Sequence, residues 1–209
     1  MKDPDEVSIA PGKTVADWKT RRAALMGNDD PVLWGKTYDE FFLGRLKSRY
    51  LDPIDTLQAH DVSQGEGFTM VTVQCALIEF LAATVKGENY RHVKDKELKQ
   101  HEYNKSGAMF AAFLHSEAPF AAHFVALSLA EEFYRDVRCA LLHEARTRNR
   151  WTIWGKHDSG APIDPVSRVV YRDNLQLTLG TYMADYRERL IASKALREAF
   201  IRKFNNLCD

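Results

Sequence analysis

One stretch of the chain is apolar on almost every side of a helix, and it limits the possible folds more than any other feature. Residues 68–86 carry aliphatic or aromatic side chains at nearly every turn, with Glu79 as the one acidic residue. A helix with so little polar surface belongs in the centre of a fold. The β-branched residues at 71–73 would also suit a strand, but the length of the apolar pattern favours a helix.

Other helical patterns flank this central segment. The first starts near Thr37, whose side chain suits an N-cap, and it is interrupted after Tyr50 by Asp52 and Pro53. Residues 87–105 are strongly charged and are predicted to form a solvated connection. Later helical patterns occupy three further stretches, at about residues 120–146, 174–190 and 195–204.

A small β element is predicted after the longest helical pattern. Residues 151–154 and 168–171 have strand-like composition and are separated by a turn-rich stretch, which predicts a β-hairpin at about 151–171. The predicted fold is therefore an all-α helical bundle of about five main helices, with this hairpin inserted between the last helices. Residues 1–36 are polar and broken by prolines and glycines, so we expect an N-terminal arm before a single domain at 37–209.

Composition excludes several classes of protein. The formal net charge is +0, so any surface for nucleic acid must be a local patch. Cys75, Cys139 and Cys208 are far apart and odd in number, which fits a reducing cytosol. The sequence has no apolar signal core and no apolar run of membrane-spanning length, so we expect a cytoplasmic protein without membrane contact. The histidines lack the spacing of metal ligands, and neither a metal nor another cofactor is predicted.

The helical pattern at 120–146 carries the candidate chemistry. At 100° per residue, His143 lies on the same arc as Glu132, Asp136 and Cys139, and Arg138 lies on the flank of that arc. The opposite side is a narrow apolar stripe that is expected to face the core, formed by Leu127, Ala130, Tyr134, Val137 and Leu141.

The polar side of this helix also has apolar character, which comes from Cys139 and Leu142. We therefore expect a homodimer in which the Arg138–His143 helix meets its own copy across a two-fold axis. Asp136 is expected to lie at that interface, and together with Cys139 it is predicted to support the site.

Arg138 and His143 are suited to cleaving RNA without a metal. RNA carries its own nucleophile, the 2′-hydroxyl, and a histidine with a pKa near neutrality takes its proton and returns one to the 5′-oxygen. An arginine stabilises the extra negative charge on the phosphorus. The alternative interpretation is a solvated arginine and a surface histidine on an amphipathic helix.

The segment from Arg138 to His143, Arg-Cys-Ala-Leu-Leu-His, resembles the arginine–spacer–histidine signature of the HEPN superfamily. The resemblance covers roughly residues 37–190. An early helix with Arg-x-x-x-Arg-Tyr at residues 45–50, a very apolar second helix and the late motif follow in the order that this superfamily uses. Cys139 departs from the pattern, because catalytic members often have Asn, Asp or His directly after the arginine.

This resemblance implies a small helical bundle that acts as a metal-independent endoribonuclease, with His143 and Arg138 as its catalytic residues. It also implies a homodimer in which the two motifs meet across the interface. Roles in bacterial toxin–antitoxin or anti-phage systems are typical, so RNA and an antitoxin protein are implied partners. The alternative is a non-catalytic HEPN module that binds RNA, a nucleotide or a protein partner.

Glu79 is predicted to be paired, because a carboxylate in the middle of a buried helix is costly without a cation. Its partner is expected to be Arg49 or another arginine that faces the core. A functional interpretation is that Glu79 orients Arg138 or His143, as active sites require of the residues around them.

Basic and aromatic residues cluster around the motif and are predicted to bind RNA. Arginine mixed with aromatic side chains suits phosphate contact and base stacking. The alternative is that the cations offset the helix dipole and that Trp151 and Trp154 belong to the hairpin core. The predicted RNA-binding residues are Arg135, Arg146, Arg148, Arg150 and Trp151.

Overall fold

The computed structural model describes residues 3–60 and 65–208, and seven helices make up most of these two ranges. The prediction of a mostly helical fold is therefore confirmed. Residues 1–2, 61–64 and 209, which belong to the predicted arm and domain, lie outside the described residues. The helices are α1 Val15–Leu25, α2 residues 31–60, α3 Glu66–Lys86, α4 Ser106–Ser116, α5 residues 127–144, α6 Arg172–Ala192 and α7 Lys194–Leu207.

Short elements connect these helices. Single 3-10 turns lie at Pro4–Glu6, Asp95–Glu97 and Phe120–Ala122. The strands are all two or three residues long: β1 Ser8–Ala10, β2 Lys13–Thr14, β3 Asn89–Tyr90, β4 Glu102–Tyr103, β5 Thr152–Trp154, β6 Ile163–Asp164 and β7 Val169–Tyr171. They form two pairs, β1 with β2 and β3 with β4, and one three-stranded sheet.

Helix α3 occupies the centre of the molecule, where α4, α6 and α7 pack around it. The side chains of Leu77, Ile78 and Leu81 are buried in the main core. By length and composition α3 could also cross a membrane, but 56% of the relevant window is buried inside the protein, as in the core helix of a soluble protein. The apolar pattern of this segment therefore reflects its position in the core.

Helix α2 is longer than the sequence predicts. It begins at Pro31, where the Asp30 carboxylate accepts a hydrogen bond from the backbone N–H of Val32 at 3.0 Å. Thr37 lies inside the helix instead of capping it, and the chain remains helical through Pro53. The turn just before this proline is π-helical, at Lys47–Leu51. A wider turn there relieves the clash between the proline ring and the preceding carbonyl, so the helix continues.

The segment predicted as an N-terminal arm packs into the main core. Trp18 and Trp34 are fully buried, and the indole nitrogen of Trp18 donates to Asn205 Oδ1 on α7 at 3.0 Å. Helix α1 is fixed at its start by Thr14 and Asp17, whose side chains each accept from the other residue's backbone N–H. Two tryptophans bury enough apolar surface to hold an otherwise polar segment in place.

The predicted hairpin at 151–171 is wrong in its pairing. Strands β5 and β7 run parallel, with Thr152 opposite Val169, whereas β6 pairs antiparallel with β7, with Ile163 opposite Val170. The strand order is β5-β7-β6. Strand-like composition indicates where strands lie, but it does not specify their partners or direction, and the connection between the two predicted strands contains the third one.

Candidate functional site

The middle of α5 is π-helical at Tyr134–Cys139. Each π-helical turn holds an additional residue, so later positions rotate away from those that a regular α-helix gives them. Ala130, Val137 and Leu141 of the predicted apolar stripe are buried, whereas Leu127, at the start of the helix, is exposed. Helix α5 also begins at Leu127 and ends at Glu144, so it is shorter than the predicted 120–146.

Asp136 is buried, with 1% of its surface exposed, and the prediction that it lies on the open face with His143 is wrong. Its carboxylate accepts hydrogen bonds from Arg135 Nε at 2.8 Å and Nη2 at 2.9 Å, and from Asn149 Nδ2 at 2.9 Å. The Arg135 guanidinium holds the pKa of Asp136 below its usual range. The backbone N–H of Arg148 donates to the Asp136 carbonyl at 2.8 Å. Asp136 therefore fixes the chain after α5 against the helix.

Glu79 forms the predicted ion pair, and its partner is Arg138. The Arg138 Nη2 donates to Glu79 Oε2 at 2.7 Å, and 19% and 17% of the two side chains are exposed. Burial acts to lower the pKa of Arg138, but the Glu79 carboxylate outweighs it and raises that pKa above its ordinary value. The guanidinium carbon also lies 5.3 Å from the centre of the Tyr134 ring. Arg138 is therefore held between a carboxylate and an aromatic face.

The alternative partner, Arg49, is used elsewhere. Arg49 Nη2 donates to the Ser8 carbonyl at 3.4 Å, and Arg45 Nη1 donates to the Ile9 carbonyl at 2.6 Å. Both arginines therefore hold strand β1 against α2.

His143 lies in the last turn of α5 and is exposed to solvent. Leu142 beside it is also exposed, and Cys139 one turn earlier is half-buried. Within residues 3–60 and 65–208, no hydrogen bond or ion pair involves the His143 ring, and none joins it to Arg138. The structure therefore leaves the imidazole free to contact a ligand or a second chain.

The predicted RNA-binding cluster is only partly available. Arg146 and Arg148 both form ion pairs with Glu144, and Arg146 Nε lies 2.8 Å from its carboxylate. Arg150 is exposed and has a positive φ of 64°. Of the arginines that follow α5, two therefore have their charge offset by a carboxylate.

The prediction that Trp151 binds RNA is wrong, because this residue is buried in the core. Only 3% of its surface is exposed, and its ring makes an edge-on contact with Phe133 at 5.2 Å between centroids. Trp154, three residues later on strand β5, is 62% exposed. The alternative interpretation, in which both tryptophans belong to the hairpin core, agrees with the burial of Trp151 but not with the exposure of Trp154.

Sequence reasoning missed two partly or fully buried residues, Tyr103 and Lys203, whose pKa values are affected by the Glu79 carboxylate. Burial raises the pKa of the Tyr103 phenol, and the Glu79 carboxylate adds to this shift. Lys203 on α7 is buried, and its Nζ donates to the Glu88 carbonyl at 3.0 Å. Burial lowers the pKa of Lys203 to about 8, against the opposing effect of Glu79. No local pattern signals these contacts, because they join segments far apart in sequence.

Removing Glu79 tests the ion pair directly. Glu79→Ala is expected to lower the free energy of unfolding by about 1–3 kcal/mol, because it leaves the half-buried guanidinium of Arg138 without its acceptor. Glu132→Ala is the matched control, since its pair with Arg168 spans 3.9 Å near the surface and is expected to contribute less than about 1 kcal/mol. Urea denaturation of both variants gives the comparison. Equal losses in the two would contradict a special role for Glu79.

Nothing in the described part of the chain suggests a metal centre, since no group of three or more His, Cys, Asp or Glu side chains there could hold an ion. The features that stand out are Tyr134, Arg138 and the exposed His143 on α5, with Glu79 of α3 paired to Arg138. No family model, curated protein or solved structure matches the chain.

Proposed function

We propose that the protein is a metal-independent endoribonuclease of the HEPN type, with His143 as general acid and base and Arg138 as the phosphate-stabilising group. One observation carries this proposal. Helix α5 holds an arginine whose orientation is fixed by Glu79, and five residues further on it holds a histidine whose ring is exposed and unpaired in the described part of the chain.

The proposed reaction uses the nucleophile that RNA itself provides. His143 removes the proton of the 2′-hydroxyl, the 2′-oxygen bonds to phosphorus, and the bond from phosphorus to the 5′-oxygen breaks as that oxygen gains a proton from the imidazolium. The Arg138 guanidinium stabilises the negative charge that develops on the phosphoryl oxygens. The products are a 2′,3′-cyclic phosphate and a 5′-hydroxyl, and neither step requires a metal.

The same proposal includes a homodimer. Exposed Leu142, half-buried Cys139 and exposed His143 form a surface that a second copy of α5 would cover, which brings two motifs to one site. Asp136 takes no part, since it is buried within its own chain. A cytoplasmic toxin or anti-phage role, with an antitoxin as partner, completes the proposal. Sedimentation at micromolar concentration tests the dimer, which Cys139→Arg is expected to weaken.

A second candidate is a non-catalytic HEPN module that binds RNA, a nucleotide or a protein partner. The pairing of the arginines favours it. Arg138 is bound to Glu79, and Arg146 and Arg148 are bound to Glu144, so much of the local positive charge is offset. In this case the α5 surface would serve in binding alone.

Cleavage of mixed cellular RNA in the presence of EDTA separates the two candidates. We expect the wild-type protein to cleave RNA under these conditions and to leave 2′,3′-cyclic phosphate or 3′-phosphate ends. His143→Ala is expected to slow cleavage by about 10²–10⁴-fold, because the proton-transfer group is lost. His157→Ala, which replaces an exposed histidine on the loop after β5, is the control and is expected to retain full activity.

The outcomes are distinct. Cleavage that requires an added divalent metal, or that persists in His143→Ala, would refute the catalytic proposal. Binding of RNA without cleavage by the wild-type protein would favour the second candidate.

A further inference from the structure

The Tyr134 ring, which contacts Arg138, packs against a glycine on a neighbouring helix. Gly107 is the second residue of α4, and a Cβ atom built on it would lie 2.8 Å from Cε1 and 3.1 Å from Cδ1 of the Tyr134 ring. Ordinary side chains do not approach so closely, so the ring occupies its position only because residue 107 has no side chain. The Phe110 ring, one turn further along α4, contacts Tyr134 at 5.3 Å between centroids.

The face of the Tyr134 ring contacts the Arg138 guanidinium. The guanidinium carbon lies 5.3 Å from the Tyr134 ring centre, within the range of a cation–π interaction. Glu79 holds the same guanidinium from another direction at 2.7 Å. Two contacts therefore restrict Arg138. Glu79 binds its Nη2 atom, and the Tyr134 ring lies against its guanidinium group. A long side chain held in this way loses little further conformational entropy when it meets a phosphate.

We propose that Tyr134 and Gly107 are positioning residues for Arg138. Tyr134 orients the guanidinium through its ring face, and Gly107 keeps open the space that the ring occupies. We call the contacts of Glu79 and Tyr134 with Arg138 the clamp. The inference rests on the proposed function only where it says that Arg138 acts on RNA. The clamp itself is a property of the folded chain. It predicts that moving the ring releases the arginine without unfolding the protein.

Four variants test the clamp. Tyr134→Leu removes the aromatic face, and Tyr134→Phe retains it without the hydroxyl. Gly107→Ala displaces the ring, since the atom that a new Cβ meets belongs to a side chain and not to the backbone. Gly180→Ala is the matched control, because Gly180 also lies within a helix and a Cβ atom built on it would have nothing within 4 Å. Thermal unfolding of each variant checks that the fold is retained.

Two measurements are made on these proteins. The first is the rate at which phenylglyoxal modifies Arg138, followed by mass spectrometry. It is expected to rise in Tyr134→Leu and Gly107→Ala, and to stay at the wild-type value in Tyr134→Phe and Gly180→Ala. The second is RNA cleavage. In Tyr134→Leu and Gly107→Ala, kcat is expected to fall roughly tenfold with KM nearly unchanged, in keeping with the loss of one cation–π contact. Tyr134→Phe is expected to keep the wild-type kcat.

The two measurements separate the clamp from the proposed function. An unchanged modification rate in both Tyr134→Leu and Gly107→Ala would overturn the clamp, whether or not the protein cleaves RNA. The expected changes in modification rate, in a protein that cleaves no RNA, would support the clamp and overturn the ribonuclease proposal. Loss of cleavage in Tyr134→Phe equal to that in Tyr134→Leu would assign the effect to the hydroxyl and contradict positioning by the ring.

Discussion

Gly87→Ala is expected to lower the free energy of unfolding by about 2–5 kcal/mol. Gly87 ends α3 in the left-handed conformation, at a φ of +65°, where an alanine costs about 1–2 kcal/mol. A Cβ atom at this position would also lie 2.6 Å from Cα and from the carbonyl oxygen of Ala199 on α7. Because these are backbone atoms of a packed helix, the overlap forces α3 and α7 apart and adds about 1–3 kcal/mol.

A second glycine separates the two contributions. Gly12, between β1 and β2, has the same φ of +65° but nothing within 4 Å of a built Cβ. Gly12→Ala therefore reports the conformational cost alone and is expected to lose about 1–2 kcal/mol. Urea denaturation of both variants measures the difference. Equal losses would mean that the close approach of α3 and α7 at Gly87 does not limit the fold.

Phe42→Ala is expected to destabilise the protein by about 3–5 kcal/mol, because it removes the ring that joins four helices. Phe42 lies on α2 and is completely buried. Its ring centroid lies within 5.0–6.4 Å of five other rings on α2, α3, α6 and α7, namely Tyr38, Phe80, Tyr186, Phe200 and Phe204.

Two comparisons make this result specific. Phe68→Ala removes the same ring from a position that is 42% exposed at the start of α3, and its expected loss is much smaller. Phe42→Leu keeps most of the volume and is expected to lose less than Phe42→Ala. Equilibrium denaturation of the three variants tests the order. A loss for Phe42→Ala no larger than that for Phe68→Ala would show that the aromatic cluster does not hold the helices together.

The position of α3 could be predicted from sequence because its apolar pattern is long and extends around almost the whole helix. Nineteen consecutive residues, 68–86, carry almost no charge, and the structure places a helix at Glu66–Lys86 in the centre of the core. The need of Glu79 for a cation follows from the same pattern, since a carboxylate inside an apolar helix requires a partner. The identity of that partner does not follow. From the sequence, Arg49 is the expected partner, but the packing of α5 against α3 places Arg138 beside Glu79.

The helical wheel of α5 correctly places Ala130, Val137 and Leu141 in the core, but it wrongly places Asp136 on the open face. A wheel assumes a constant 100° per residue, and the π-helical turns at Tyr134–Cys139 break this assumption. Asp136 consequently turns inward, where Arg135 and Asn149 satisfy its carboxylate. No pattern in the local sequence predicts these turns.

The sequence by itself determined the helical class, the central position of α3 and the approximate location of the strands, because periodic burial is encoded residue by residue. Only the tertiary structure decided the long-range contacts. These are the parallel pairing of β5 with β7, the burial of Trp151, and the packing of the Tyr134 ring against Gly107. These features depend on contacts between segments far apart in the chain. Such contacts form only when helices and strands are packed together, so no local pattern can report them.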